Sequence, residues 1–279
     1  MINSNGTLVP NADSQLANNR GFLFGDGVFE TVRILDGKIL FLEDHYFRLM
    51  SGMRIVRMQI PMDFTMEYLE TQILNTVFAN NCAGSARARI TVYRSAGGFY
   101  LPQTNEVQYL IDAEPLDDVL YSISGDSYEV DLYKDFYVTQ QLLSSVKTTN
   151  RLVNITASIY AHENGLQNCL LVNDSKNVIE ASQGNLFLLS GDQLITPPIS
   201  DGCLNGVMRK QLLALSRKIE GLEVLEASIS PFDLQKADEL FITNVIKGIQ
   251  PITKYRKKEF KVDFAQQLLV RLNSQVRLV

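Results

Sequence analysis

Gln141–Asn154 reads QLLSSVKTTNRLVN, with Lys147 at its centre. The run Phe136 to Leu143 before it has apolar residues on both faces and predicts a strand. The pattern from about Asn150 predicts a helix that stops at Asn164-Gly165. A lysine between a buried strand and a helix gives up water, which makes its ammonium easier to deprotonate. Lysines so placed form Schiff bases with carbonyl cofactors or substrates. Most lysines are solvated surface charges, so the flanking chain has to decide between the two.

The flanks exclude several classes. The chain has 279 residues, enough for one large domain or two modest ones, with 46% apolar and 20% charged residues. A formal charge of −5 leaves no basic footprint for nucleic acid. No 18-residue apolar run predicts a membrane span, and MINSNGTLVP has neither part of a secretory signal. Cys82, Cys169 and Cys203 lack CxxC spacing and read as reduced, buried thiols of a cytoplasmic protein. His45 and His162 share no motif, so no metal centre is expected.

Upstream, a turn at Asn5-Gly6 joins two short extended pieces. Within Arg20 to Arg33, RGFLFGDGVFETVR, Val28 to Arg33 carries a strand period with Gly25 and Gly27 at its start, and Asp36-Gly37 marks a hairpin returning through Lys38–Leu42. Helices are predicted over Glu43–Met58 and Phe64–Phe78, the second capped by Asp63. Ser85–Arg94, SARARITVYR, alternates cleanly, and Val107–Ala113 follows as a strand after the loop SAGGFYLPQTN. Glu114-Pro115 opens a short linker that divides the chain into an N-terminal α/β domain, 1–114, and a strand-rich C-terminal domain, 119–279. Downstream, strands are predicted at Leu120–Ser124, Cys169–Val172, Val178–Glu180, Leu186–Leu189, Gln193–Ile195 and Glu239–Thr243. Helices are predicted near Leu204–Glu220, at Pro231 and at the C-terminus. The fold class is α+β in two parts.

No P-loop, GxGxxG, HExxH or GxSxG occurs. There remain Lys147, a strand-end carboxylate at Glu180, an arginine at Arg48 on the first helix, and a helix start at Asn205-Gly206-Val207-Met208 that suits an anion. Along almost its whole length the sequence resembles the class IV aminotransferase family, the fold type IV pyridoxal 5'-phosphate (PLP) enzymes. The matching pieces stand in the family's order: RGFLFGDGVFETVR, HYFRL, VKTTNRL, VIEASQGNLF, LNGVMRK and ADELFITNVIKGIQPI.

The resemblance implies PLP as cofactor, Lys147 as Schiff-base lysine and proton carrier, and Glu180 as partner of the protonated pyridine nitrogen. It implies that Arg48 binds the phosphate, helped by Val207 and Met208 N–H groups and by the loop around Ser182 and Gln183. A carboxylate at the ring nitrogen keeps it protonated, and an arginine with a helix N-terminus suits a phosphate dianion. The chain departs from the family in places. Met208 stands where the phosphate loop often has threonine. Phe29 replaces the tyrosine of D-amino-acid aminotransferases, and Phe99 stands near their arginine, which argues against a D-amino-acid substrate.

YRSAGGFY, NGVMR and ITN followed by I-x-P are similar to pieces of 4-amino-4-deoxychorismate lyases. The expected reaction is therefore release of 4-aminobenzoate and pyruvate by proton abstraction and elimination, with a transaminase as the alternative. Phe29, Arg94, Tyr100 and Asn244 are the expected substrate contacts. The family also implies a homodimer in which the Ser95–Thr104 loop reaches the neighbouring site.

Overall fold

The alternation in SARARITVYR puts Ala86, Ala88, Ile90 and Val92 on one face of a strand, and all four are buried. In a computed structural model, which describes residues 1–9 and 18–277, this strand organises the first of two units, Met1–Val119 with Val146–Asn150. Its elements are β1 (Ile2–Ser4), β2 (Thr7–Val9), α1 (Arg20–Phe24), β3 (Gly27–Leu35), β4 (Lys38–Ile39), α2 (Leu42–Ile55), α3 (Met66–Ala79), β5 (Ser85–Arg94) and β6 (Val107–Pro115). An antiparallel sheet runs β2-β1-β6-β5-β3-β4, with Phe29 opposite Thr91 and Thr31 opposite Arg89. Val28, Val32 and Ile34 share a core with Met50 and Met53 of α2 and Ile73 and Val77 of α3. Burying one such side chain contributes about 2 kcal/mol, more than an exposed ion pair supplies. Apolar packing therefore holds both helices to the sheet.

Both expected turns form: Asn5 and Gly6, then Asp36 and Gly37, take positive φ. Two local expectations need correction. The returning strand stops at Ile39, because Phe41 turns left-handed (φ 57°) and starts α2 directly. The cap of α3 is Thr65, whose hydroxyl oxygen accepts the Tyr68 N–H at 3.2 Å, and not Asp63. Arg20–Phe24 is a helical turn, capped by Asn19 and stopped by Gly25 at φ 63°.

The second unit, Leu120–Ser145 with Arg151–Val279, contains β7 (Glu129–Val138), α4 (Leu152–Glu163), β8 (Asn168–Asn173), β9 (Val178–Ala181), β10 (Gly184–Ser190), β11 (Gln193–Thr196), α5 (Val207–Ser216), β12 (Glu223–Glu226), α6 (Pro231–Lys236), β13 (Glu239–Asn244), β14 (Gly248–Ile252), β15 (Lys254–Tyr255), β16 (Lys258–Glu259) and α7 (Asp263–Arg277). Its sheet runs β12-β11-β10-β9-β8-β7-β15-β16, and the β13–β14 pair joins at β10. One core packs Tyr133, Leu171 and Ile179 against Ala157 and Ala161 of α4. Another packs Leu132, Val172, Leu186 and Leu240 against Leu234 of α6.

Leu120–Ser124 forms no strand. The Asn273 side chain takes both backbone groups of Tyr121, at 3.2 and 2.8 Å, which a ladder would need. The strand expected over Phe136–Leu143 ends at Val138. Ser144 and Ser145 donate their hydroxyls to Thr139 O and Leu142 O, and these local bonds favour a 3-10 turn over Leu142–Ser145. The helix expected from Leu204 begins at Val207, after an extended N-cap at Gly206 (φ −71°, ψ 134°), and the Leu204 N–H donates to Glu180. The architecture is mixed α+β, as expected.

Candidate active site

Lys147 belongs to the first unit, on a segment laced to the start of β3. The Phe29 N–H donates to Lys147 O and the Thr149 N–H to Gly27 O, both at 2.9 Å, with a bridge between Val28 and Thr148. A β-carbon on Gly27 would sit 3.0 Å from Val92 O and 3.1 Å from Thr149 Cγ2, so close backbone approach is why glycine stands there. Lys147 Nζ lies 4.3 Å from the centroid of the Phe29 ring, and the Arg89 guanidinium carbon lies 4.0 Å from the same ring. Burial pulls the Arg89 pKa down, partly opposed by Asp112.

Arg48 is positioned by Glu30. This carboxylate stands on the face of β3 that also carries Val28, Val32 and Ile34, so it needs a cation to be buried there. Arg48 supplies one, donating from Nε to Oε1 and from Nη2 to Oε2, each at 2.6 Å. His45, three residues earlier on α2, places Nδ1 2.7 Å from Oε2. Burial alone would push Glu30 up, but the Arg48 charge and hydrogen bonds, with the His45 bond, hold its pKa at about 2. Burial holds His45 below its ordinary value despite Glu30. The imidazole is neutral, donates from Nδ1, and leaves a buried Nε2 with no hydrogen-bond partner. The Arg48 edge turned to Glu30 fixes the guanidinium plane before any anion arrives.

Arg94 has a structural job. It is buried and donates to Asp26 from Nε, to Arg57 O and Asn105 Oδ1 from Nη1, and to Val56 O from Nη2. These bonds clamp the end of β5 to the end of α2. Arg20 flanks the same aspartate at 2.9 Å and donates to Gly97 O and Phe99 O, which ties down the glycine loop. Tyr100, on that loop, is 92% exposed and meets only the Phe24 ring among the described aromatic contacts.

In the second unit Glu180 is buried on β9 and accepts the Leu204 N–H at 2.9 Å. Cys203 beside it is pushed up to about 12 by burial and by the Glu180 charge, so it stays a neutral thiol. The Ser182 hydroxyl donates to Asn168 Oδ1 at 2.6 Å and accepts from Ser158. Its proton is therefore committed away from any phosphate. Asn244 donates to Gln183 O and accepts from the Ile246 and Lys247 N–H groups, so its side chain shapes the loop around Gln183.

Val207 and Met208 open the ten-residue α5. Its N-cap, Gly206, has no side chain, and a β-carbon there would run into Asn185 Oδ1. Gly206 itself offers α5 no side-chain cap. A helix start left this way fits a phosphate.

The mixed α+β architecture is that of the PLP-dependent enzymes of fold type IV. The family model "Amino-transferase class IV" matches residues 27–255, and the chain belongs to that family. A protein of Methanocaldococcus jannaschii, provisionally named a branched-chain-amino-acid aminotransferase, is 30% identical over 251 residues, covering 89% of this chain and 85% of its own. The D-alanine aminotransferase of Listeria monocytogenes is 29% identical, covering 89% and 85%. The aminodeoxychorismate lyase of Vibrio harveyi is 25% identical, covering 91% and 92%. The branched-chain amino acid aminotransferase of Thermobaculum terrenum in its PLP form superposes with a TM-score of 0.86 at 25% identity, covering 99% and 92%. PLP is the cofactor of the chain.

Sequence reasoning missed Glu30, His45 and Arg89. The signal for Glu30 was present: a lone carboxylate among valines and isoleucine on one strand face demands a partner. Arg89 sat in a row of alternating arginines, and no spacing rule distinguishes the one that meets an aromatic ring.

Proposed function

We propose that this chain is a PLP-dependent 4-amino-4-deoxychorismate lyase, releasing 4-aminobenzoate and pyruvate. The observation that supports this most is the Phe29 ring, within 4.3 Å of Lys147 Nζ and 4.0 Å of the Arg89 guanidinium. A flat apolar platform with an amine and a guanidinium suits a six-membered ring that carries an amino group and a carboxylate. When bound, PLP supplies a protonated pyridine ring that accepts the electron pair left by a departing proton. Arg48 and the Val207 and Met208 N–H groups hold the phosphate, and Gln183 shapes the adjoining loop. Ser182 supports that loop through Asn168. Glu180 keeps the proton on the ring nitrogen.

Lys147 Nζ takes the proton from C4 of the substrate, adjacent to the enolpyruvyl-bearing carbon, whose oxygen leaves. Phe29 seats the ring, and Arg89 takes over the carboxylate contact first expected of Arg94. A transaminase reading rests on a different observation: the relatives at 30% and 29% identity are named aminotransferases. Aminodeoxychorismate alone separates the two. We expect 4-aminobenzoate to form with no keto acid added. Product that appears only with an amino donor and a keto acid would establish transamination.

The enzyme is a homodimer on this proposal. Helix α4 exposes Leu152, Ile155 and Ile159, each more than half accessible, on one stripe, and Leu142 and Leu143 are exposed as well. Tyr100 then serves the partner copy's substrate, and Asn244 acts through the loop it shapes. Replacing Ile155 and Ile159 together with aspartate is expected to yield monomers in sedimentation, with activity falling alongside. A double variant that stays dimeric would place the interface elsewhere.

A further inference from the structure

A cavity of about 390 Å³ opens on the second unit among β7, the β8–β9 turn, α6 and the β15–β16 turn, and no residue assigned above to PLP or substrate lines it. Its floor includes the buried Leu132 and Val172, and its walls include Tyr137 and Phe232. Phe232 is 74% exposed, so it contributes little to the core and presents an aromatic face at the cavity.

Every charged residue in the lining is a cation: Lys134 from β7, Lys176 and Arg256 from two turns. The chain as a whole has more acidic than basic residues, 31 against 26, so a rim without a carboxylate runs against its composition. Lys176 Nζ stands 3.5 Å from the centroid of the Tyr137 ring, which holds the ammonium at the wall. The Arg256 Nε approaches Asp131 only at 3.5 Å, the outer limit of a hydrogen bond. Like charges gathered around an apolar floor repel one another and attract a counter-ion.

We propose that this cavity binds a small aromatic carboxylate, with its ring against Phe232 and Tyr137 and its carboxylate toward Lys176 and Arg256. The volume lies near the small end of ligand sites, about 300–1,000 Å³, which suits a single ring. Inorganic phosphate would leave both aromatic walls wet, and a neutral aromatic would leave the Lys134 and Lys176 charges unmatched by the ligand. A guanidinium and an ammonium set around an apolar slot serve one ring and one carboxylate. The site is independent of the reaction catalysed at Lys147.

The probe is 4-fluorobenzoate, titrated into the PLP-loaded enzyme and followed by fluorine NMR. Saturable binding is expected, weakened about tenfold or more in Lys176→Gln/Arg256→Gln, the loss of one to two charge-assisted contacts. Both residues are exposed, so the variant is expected to fold, as circular dichroism would verify. Binding is also expected to weaken in Phe232→Ser and to persist in Lys147→Ala. Absence of saturation, equal binding in the double variant, or loss of binding in Lys147→Ala would each overturn the proposal.

Discussion

Lys147→Ala is expected to lose turnover by about 10⁴-fold or more, because on the proposed function both the covalent anchor and the proton carrier go with one amine. The visible absorption band of PLP joined to Lys147 should vanish with it. The fold should survive. The segment is held by backbone bonds, Phe29 N–H to Lys147 O and Thr149 N–H to Gly27 O, which an alanine keeps. The amine itself only overlies the Phe29 ring in a cation–π contact of modest worth. Steady-state rates with aminodeoxychorismate, read beside circular dichroism of the same sample, decide the matter. Near-normal turnover in a folded variant would mean that another lysine does the chemistry.

Arg48→Ala is expected to destabilise the first unit by about 3 kcal/mol, the low end for breaking a buried pair, since His45 still donates to the stranded carboxylate. The pH dependence should change too. In the parent, Glu30 titrates near 2 when folded against an ordinary 4.5, so its stabilisation is full above 4.5 and is lost as pH falls toward 2. His45, held below 6.5, also makes the unfolded chain take up a proton first, so parental stability falls on acidification below 6.5. Without Arg48, burial pushes Glu30 up against the His45 contact alone, so the folded chain takes up its proton at a higher pH than the parent does. His45 simultaneously loses the repulsion of Arg48.

Acidification should therefore weaken the variant less than it weakens the parent. Urea midpoints compared between about pH 7 and about pH 5 would show the parental slope flattened. A variant midpoint that falls as steeply as the parent's would show that Arg48 is not what keeps Glu30 charged. PLP affinity of the same variant, measured by absorbance titration, reports separately on the proposed phosphate contact.

Much of the chain could be read without its structure. Period-two alternation located β3 and β5, and the Asn5-Gly6 and Asp36-Gly37 pairs located their turns, because these signals depend on neighbours in sequence. Boundaries failed where a side chain outbid the local pattern. Asn273 claimed the Tyr121 backbone, and Ser144 and Ser145 closed a turn where a strand was expected.

By itself the sequence determined the family and its cofactor, since the motifs that carry them follow from residue type and order along the chain. Only the tertiary structure decided what each arginine does. Arg48 is oriented by Glu30, Arg94 is taken up by Asp26 and three loop acceptors, and Arg89 faces the ring beside Lys147. The physical reason is that a guanidinium is defined by the acceptors and aromatic faces that surround it, and those arrive from distant parts of the chain.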